Sequence, residues 1–218
     1  MENPWTRLPE QAPFVLLEDL PIIERNDRPD VPSRVRTDVL PVPYLGNPET
    51  AKILLLNLNP GFVDEDIELS GRNDLYVEQN RRTLSFDSEP AFFCLSKKFS
   101  STPGYQWWNR HLKELIQEVG RPNVLGKVMC IQYFPYHSKE YRQYSELLPS
   151  QAFSFHLVEQ AMNQGKVIVI MRRKQEWLRN VATLADYPYI ELSSPRSASI
   201  SRKNVKGNGF DRIVEALR

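Results

Sequence analysis

The chain is poor in the residues that mark several common functions. It has two cysteines, Cys94 and Cys130, and three histidines, His111, His137 and His156, among 218 residues. They fall at no spacing that a zinc site uses, so no metal centre is expected. Two thiols cannot supply a four-thiolate iron–sulfur cluster, and Cys130 lies inside an apolar run, as a reduced core thiol would. Such sparse cysteine fits a reducing compartment, and a cytoplasmic protein is expected. The nine glycines form neither a Walker loop nor a Gly-x-Gly-x-x-Gly fingerprint, and there is no Gly-x-Ser-x-Gly elbow. No cofactor is therefore expected. No apolar run approaches the roughly 18 residues of a membrane span, and the N-terminus lacks a basic region followed by an apolar core. Neither a membrane partner nor a secretory signal is expected, and the chain is expected to be a monomer.

Charge of one sign is also lacking. With 28 basic and 27 acidic residues the net charge is +1, which gives no bulk case for nucleic acid. The distribution is less even. Arg196, Arg202, Lys203 and Lys206 lie between Ser193 and Gly207 with no acid among them, and Arg172, Arg173, Lys174 and Arg179 lie just upstream with only Glu176. Asp64, Glu65, Asp66 and Glu68 make an acidic counterpart. The basic stretches either hold phosphates or form a solvated charged surface.

What is present is an α/β pattern. Four apolar runs, at Ile53–Leu58, Lys127–Tyr133, Val167–Met171 and Tyr189–Leu192, alternate with helical stripes. One stripe runs from Trp108 to Val119 and closes at Gly120 and Pro122; another runs from Phe153 to Met162. A shorter one contains Trp177, Leu178 and Val181, and a last one Phe210 to Leu217. A further helix is expected around Asp74–Arg82. Alternation of this kind implies a parallel sheet with helices on both faces. Many of the 17 prolines fall in the first 50 residues, which read as an irregular arm packed on the domain, with a short helix within Phe14–Glu24 and a strand near Val35–Val42. No linker divides the chain, so residues 1–218 are expected to form one domain.

Chemistry is expected where strands end. In open α/β sheets ligands bind outside the carboxyl ends of the strands. Three polar clusters follow apolar runs: Asn57-Leu-Asn-Pro-Gly-Phe62, Cys130-Ile-Gln-Tyr-Phe-Pro-Tyr-His-Ser138 and Leu192-Ser-Ser-Pro-Arg-Ser-Ala-Ser199. Asn59 presents an amide at such a rim, both donor and acceptor, or else caps the turn before Pro60.

Together the three clusters resemble the uracil-DNA glycosylase superfamily, in motif style its single-strand-selective and mismatch-specific branches. Asn59-Pro60-Gly61 matches the core of its first motif without the leading glycine. Gln132-Tyr133-Phe134-Pro135 matches its base-reading strand end, with Gln in place of Asn. Ser193-Ser194-Pro195 aligns with its last motif, without the usual histidine. The resemblance spans about residues 50–218 and implies a three-layer α/β/α sandwich around a four-stranded parallel sheet. It also implies hydrolysis of the N-glycosidic bond of a damaged or deaminated base in DNA, by base flipping. On this resemblance Asn59 orients the water, Gln132 reads the base edge, and Phe92 or Phe93 supplies a stacking ring, with Tyr105, Trp107 and Trp108 as rivals and Phe62 near the first motif. Ser193, Ser194 or His137 stands in for the absent histidine, and Arg196, Arg202 and Lys203 meet DNA. Two alternatives stay open: a base- or nucleic-acid-binding module of the same fold without catalysis, and a small-molecule-binding or hydrolytic α/β domain.

Overall fold

A computed structural model describes residues 1–72 and 74–218. The chain runs α1 (Leu20–Asn26), β1 (Tyr44–Leu45), β2 (Ile53–Asn57), α2 (Glu65–Arg72) and α3 (Asp74–Leu84). It continues through α4 (Pro103–His111), α5 (Lys113–Val119), α6 (Arg121–Lys127) and β3 (Val128–Gln132). Then come α7 (Gln151–Asn163), β4 (Val167–Ile170), α8 (Lys174–Asn180), β5 (Ile190–Glu191) and α9 (Gly209–Leu217). Among the described residues no helix is long and apolar enough to cross a membrane.

The five strands lie in the order β1-β3-β2-β4-β5. The four apolar runs of the sequence form β2 to β5, all mutually parallel, whereas β1 pairs antiparallel with β3. The sheet is thus five-stranded and mixed, one strand more than the four parallel strands expected. That edge strand is Tyr44–Leu45, not the Val35–Val42 stretch read from sequence. Pro41 and Pro43 have no N–H to donate to a ladder.

Every residue of β2 and β3 is buried, so both faces of the sheet are covered. The period of two divides them between two cores. Leu54, Leu56, Met129, Ile131, Ile168 and Ile170 enter one apolar cluster. Ile53, Leu55, Val128, Cys130 and Val169 enter the other. The N-terminal arm completes the first, through Trp5, Leu16, Ile23 and Leu40. Buried Asp19 clips the arm in place: it accepts from the Tyr136 hydroxyl at 2.7 Å and the Ser150 amide at 3.0 Å.

Two helical readings change in detail. The Trp108–Val119 stripe is two helices that part at Leu112, whose ψ is 11°. At that point the Ile200 amide donates to the His111 carbonyl at 2.9 Å, from outside the helix. Pro122 opens α6, because proline fits a first helical turn, where its missing N–H is not needed. Across the parallel strands the chain moves from β2 to β3, then crosses to β4 and β5, so its direction of travel reverses about β2.

Candidate functional site

The end of β2 and the end of β3 leave the sheet side by side. Asn57 and Gln132 are register partners, and the Phe134 amide donates to the Leu58 carbonyl at 2.7 Å. Further out, Gly61 and Ser138 form a parallel bridge. This pairing opens a cavity of about 390 Å³ at the carboxyl ends of β2, β3 and β4. Its amides are Asn57, Asn59 and Gln132, and its aromatic walls include Phe62, Tyr76 and Trp107.

Asn57 and Gln132 are the most informative pair. Both are buried, and Asn57 Oδ1 and Gln132 Oε1 have no hydrogen-bond partner among the described residues. A buried carbonyl oxygen left unpaired costs about 1–3 kcal/mol, and two beside one cavity are acceptors open to a donor that enters it. Asn59 is differently placed. Its Nδ2 donates to the Pro60 carbonyl at 3.0 Å and the Ser138 hydroxyl at 3.1 Å, so its Oδ1 is the atom not claimed by protein.

Of the expected site residues, Asn59, Gln132, His137 and Phe62 line the cavity together. His137 donates from Nδ1 to the Gly61 carbonyl at 2.5 Å, which fixes its tautomer. Burial holds its pKa below the ordinary histidine range, with nearby Asp66 acting in the opposite sense. Burial also raises the Asp66 carboxyl, whose Oδ2 accepts from the Val63 amide at 2.9 Å. Phe62 has the Arg36 guanidinium stacked over its ring at 3.9 Å.

Phe92 and Phe93 do not line the cavity. Both are wholly buried and back the rings that do: Phe92 meets Trp108 edge-on at 5.0 Å, and Phe93 meets Tyr76 at 5.5 Å. Trp107, a rival in the sequence reading, lines the cavity and stacks on His111 at 3.9 Å.

The third cluster follows β5, at the edge of the sheet, and lies outside the cavity. Ser193 and Ser194 are exposed and outside the cavity lining, and Asn204 clamps their loop, accepting from the Ser193 amide at 2.7 Å and the Ser194 amide at 2.8 Å. The same segment reaches His111 through Ile200, and His111 reaches the cavity through Trp107. Arg196, Arg202 and Lys203 are exposed. Arg202 pairs with Asp211 at 2.6 Å and Glu118 at 3.5 Å, while Lys206 pairs with Glu191 at 2.7 Å. Half of the basic stretch is therefore engaged in surface ion pairs with acids outside it.

Several lining residues escaped the sequence reading as site residues, Asn57 and Arg172 among them. Asn57 has a legible signal, a polar residue closing a wholly apolar strand. Arg172 is hidden among neighbouring cations, and only its position past β4 distinguishes it.

Comparison of the chain with protein-family models, with curated proteins and with solved structures finds no match. The chemical character of the cavity rests on its own residues. Paired carboxamides, flat aromatic walls and a guanidinium suit a planar heterocycle with donors and acceptors on its edge.

Proposed function

We propose that the cavity binds a nucleobase and that the chain is a divergent glycosylase of the uracil-DNA glycosylase type. Two cores flanking the sheet support the corresponding three-layer α/β/α arrangement. The observation that carries the reading is the pair of unsatisfied buried oxygens of Asn57 and Gln132, beside Asn59 in one cavity of about 390 Å³. An amide edge both donates and accepts, as a uracil-like edge requires. In the reaction, water adds to the sugar carbon, the carbon–nitrogen bond breaks with its electron pair going to the base, and the base takes up a proton. Asn59 holds the water through its unclaimed Oδ1. An amide is a weak base, but a cationic sugar needs little activation of its nucleophile.

A second reading, a base-binding module without catalysis, is favoured by one observation. Ser193 and Ser194 stand outside the cavity, so the third cluster places no donor on a departing base. Incubation with single- and double-stranded uracil-containing oligonucleotides separates the two. Abasic-site formation that disappears in Asn59→Ala supports the glycosylase. Binding without cleavage supports the module. Cleavage unchanged in Asn59→Ala overturns the role given to Asn59.

A further inference from the structure

Three basic side chains line the cavity, His137, Lys139 and Arg172, and only one is uncommitted. Lys139 faces Asp64 at 3.4 Å. His137 is tied to the Gly61 carbonyl and kept towards neutrality by burial. Arg172 differs from both. Its backbone amide donates to the Leu56 carbonyl at 3.3 Å, which fixes the residue between the ends of β2 and β4. Its side chain makes no hydrogen bond or ion pair among the described residues, and its Nε is buried without a partner.

Among the described residues the surroundings offer no internal counter-ion. Burial alone acts on the Arg172 guanidinium, pushing its pKa down with no carboxylate in opposition. The cavity's acid, Asp66, is engaged by the Val63 amide and influenced by His137 and Arg36. The guanidinium stands over the face of Trp107, 5.9 Å from Cζ to the ring centroid. His111, on the far side of that stack, is held below its ordinary pKa by burial, and the Arg172 charge adds to the effect. A half-buried guanidinium without an acid is an incomplete pair, and its ordinary complement is an anion bound through two N–H groups.

We infer that Arg172 is the anion-binding residue of this cavity, so that its planar ligand is held in anionic form or with an anionic group beside the ring. The inference rests on the reading of the cavity as a base site and adds the charge of the occupant. The anion is either the ring itself, as in a deprotonated pyrimidine, or a phosphate carried on a nucleotide.

Calorimetric titration of the full chain distinguishes these sources. The ring pair is barbiturate, a flat pyrimidine that is an anion at neutral pH, against neutral uracil. The phosphate pair is deoxyuridine monophosphate against deoxyuridine. At least one anion is expected to bind about tenfold or more tightly than its neutral counterpart, the difference a charged hydrogen bond makes. Arg172→Gln should abolish that preference, and an unchanged urea denaturation midpoint shows that its fold is intact. Arg172→Lys should retain part of it. A preference in the barbiturate arm assigns the charge to the ring, and one in the monophosphate arm to the phosphate. Equal binding within both pairs, no binding of either anion, or a preference undiminished in Arg172→Gln overturns the inference. Cleavage of uracil-containing oligonucleotides is scored separately. A chain that cleaves nothing but keeps the Arg172-dependent preference loses the glycosylase reading alone, and a chain that cleaves without the preference loses this inference alone.

Discussion

Asn57 and Gln132 face each other in parallel register at the ends of adjacent strands, each with a buried side-chain oxygen that no group among the described residues satisfies. Some buried polar groups elsewhere are paired: Asp19 accepts from both Tyr136 and Ser150, and the Trp177 indole donates to the Asn57 carbonyl at 3.0 Å. Trp5 Nε1, Asn80 Nδ2, the Tyr144 hydroxyl and Ser150 Oγ are also without a partner among the described residues. What sets the strand ends apart is that two such oxygens, on register partners, adjoin one cavity. Such a site trades folding stability for acceptors left open at the cavity.

That trade gives the first prediction. Asn57→Leu and Gln132→Leu each remove an unpaired buried acceptor, so each variant should be as stable as the parent or more so, by up to about 1 kcal/mol. Both should lose base binding. Urea denaturation with parallel titration checks this, and a loss of stability beyond about 1 kcal/mol in either variant would show that the amide is satisfied in the folded protein.

A second prediction concerns acid. Burial holds His111 and His137 below the ordinary histidine value of about 6.5. The unfolded chain therefore binds protons that the folded chain resists. Stability contributed by the neutral imidazoles is present above that value and is lost as pH falls through it. Each histidine contributes at most about 1.4 kcal/mol per pH unit. His137 faces Asp66, Arg36 and the backbones of Gly61 and Leu40, and the raised Asp66 carboxyl opposes the loss at lower pH, where the folded form holds its proton more readily. Denaturation midpoints should fall between about pH 7 and about pH 6, and His137→Gln should flatten the slope. An unchanged slope in that variant would remove His137 from the account.

The third prediction divides the basic stretch. Arg196 and Lys203 are exposed and make no ion pair among the described residues, whereas Arg202 and Lys206 are engaged by acids. If the chain holds a DNA strand on this side, neutralising Arg196 or Lys203 should make oligonucleotide binding less sensitive to salt. The slope of log affinity against log salt should shrink by about 0.7 for each single-strand phosphate that no longer meets a cation. Arg202→Gln and Lys206→Gln should change it less. Equal effects from all four would mean that the ion pairs open on binding.

How much of this was legible differs by element. β2 to β5 were readable because strands buried on both faces must be almost wholly apolar, and Ile53–Leu56 and Val167–Ile170 are. The break at Leu112 was not, because it coincides with a bond from Ile200, 88 positions further along the chain. At the cavity, Asn59 and Gln132 stood out as polar residues at strand ends. The aromatic wall did not, since Phe92, Phe93, Trp107 and Trp108 look alike in a sequence, and only packing decides which ring faces a core and which a cavity.

The sequence by itself determined the layering, since the period of apolar residues dictates which faces must leave water, whatever their partners. Tertiary structure alone decided the charges. Glu118 and Glu191 pair with Arg202 and Lys206 from elements that precede the basic stretch, while Arg172, in an equally basic run, has no ion pair among the described residues. The physical reason is that burial is written in local periodicity, whereas Coulomb energy depends on distances that only the folded chain sets.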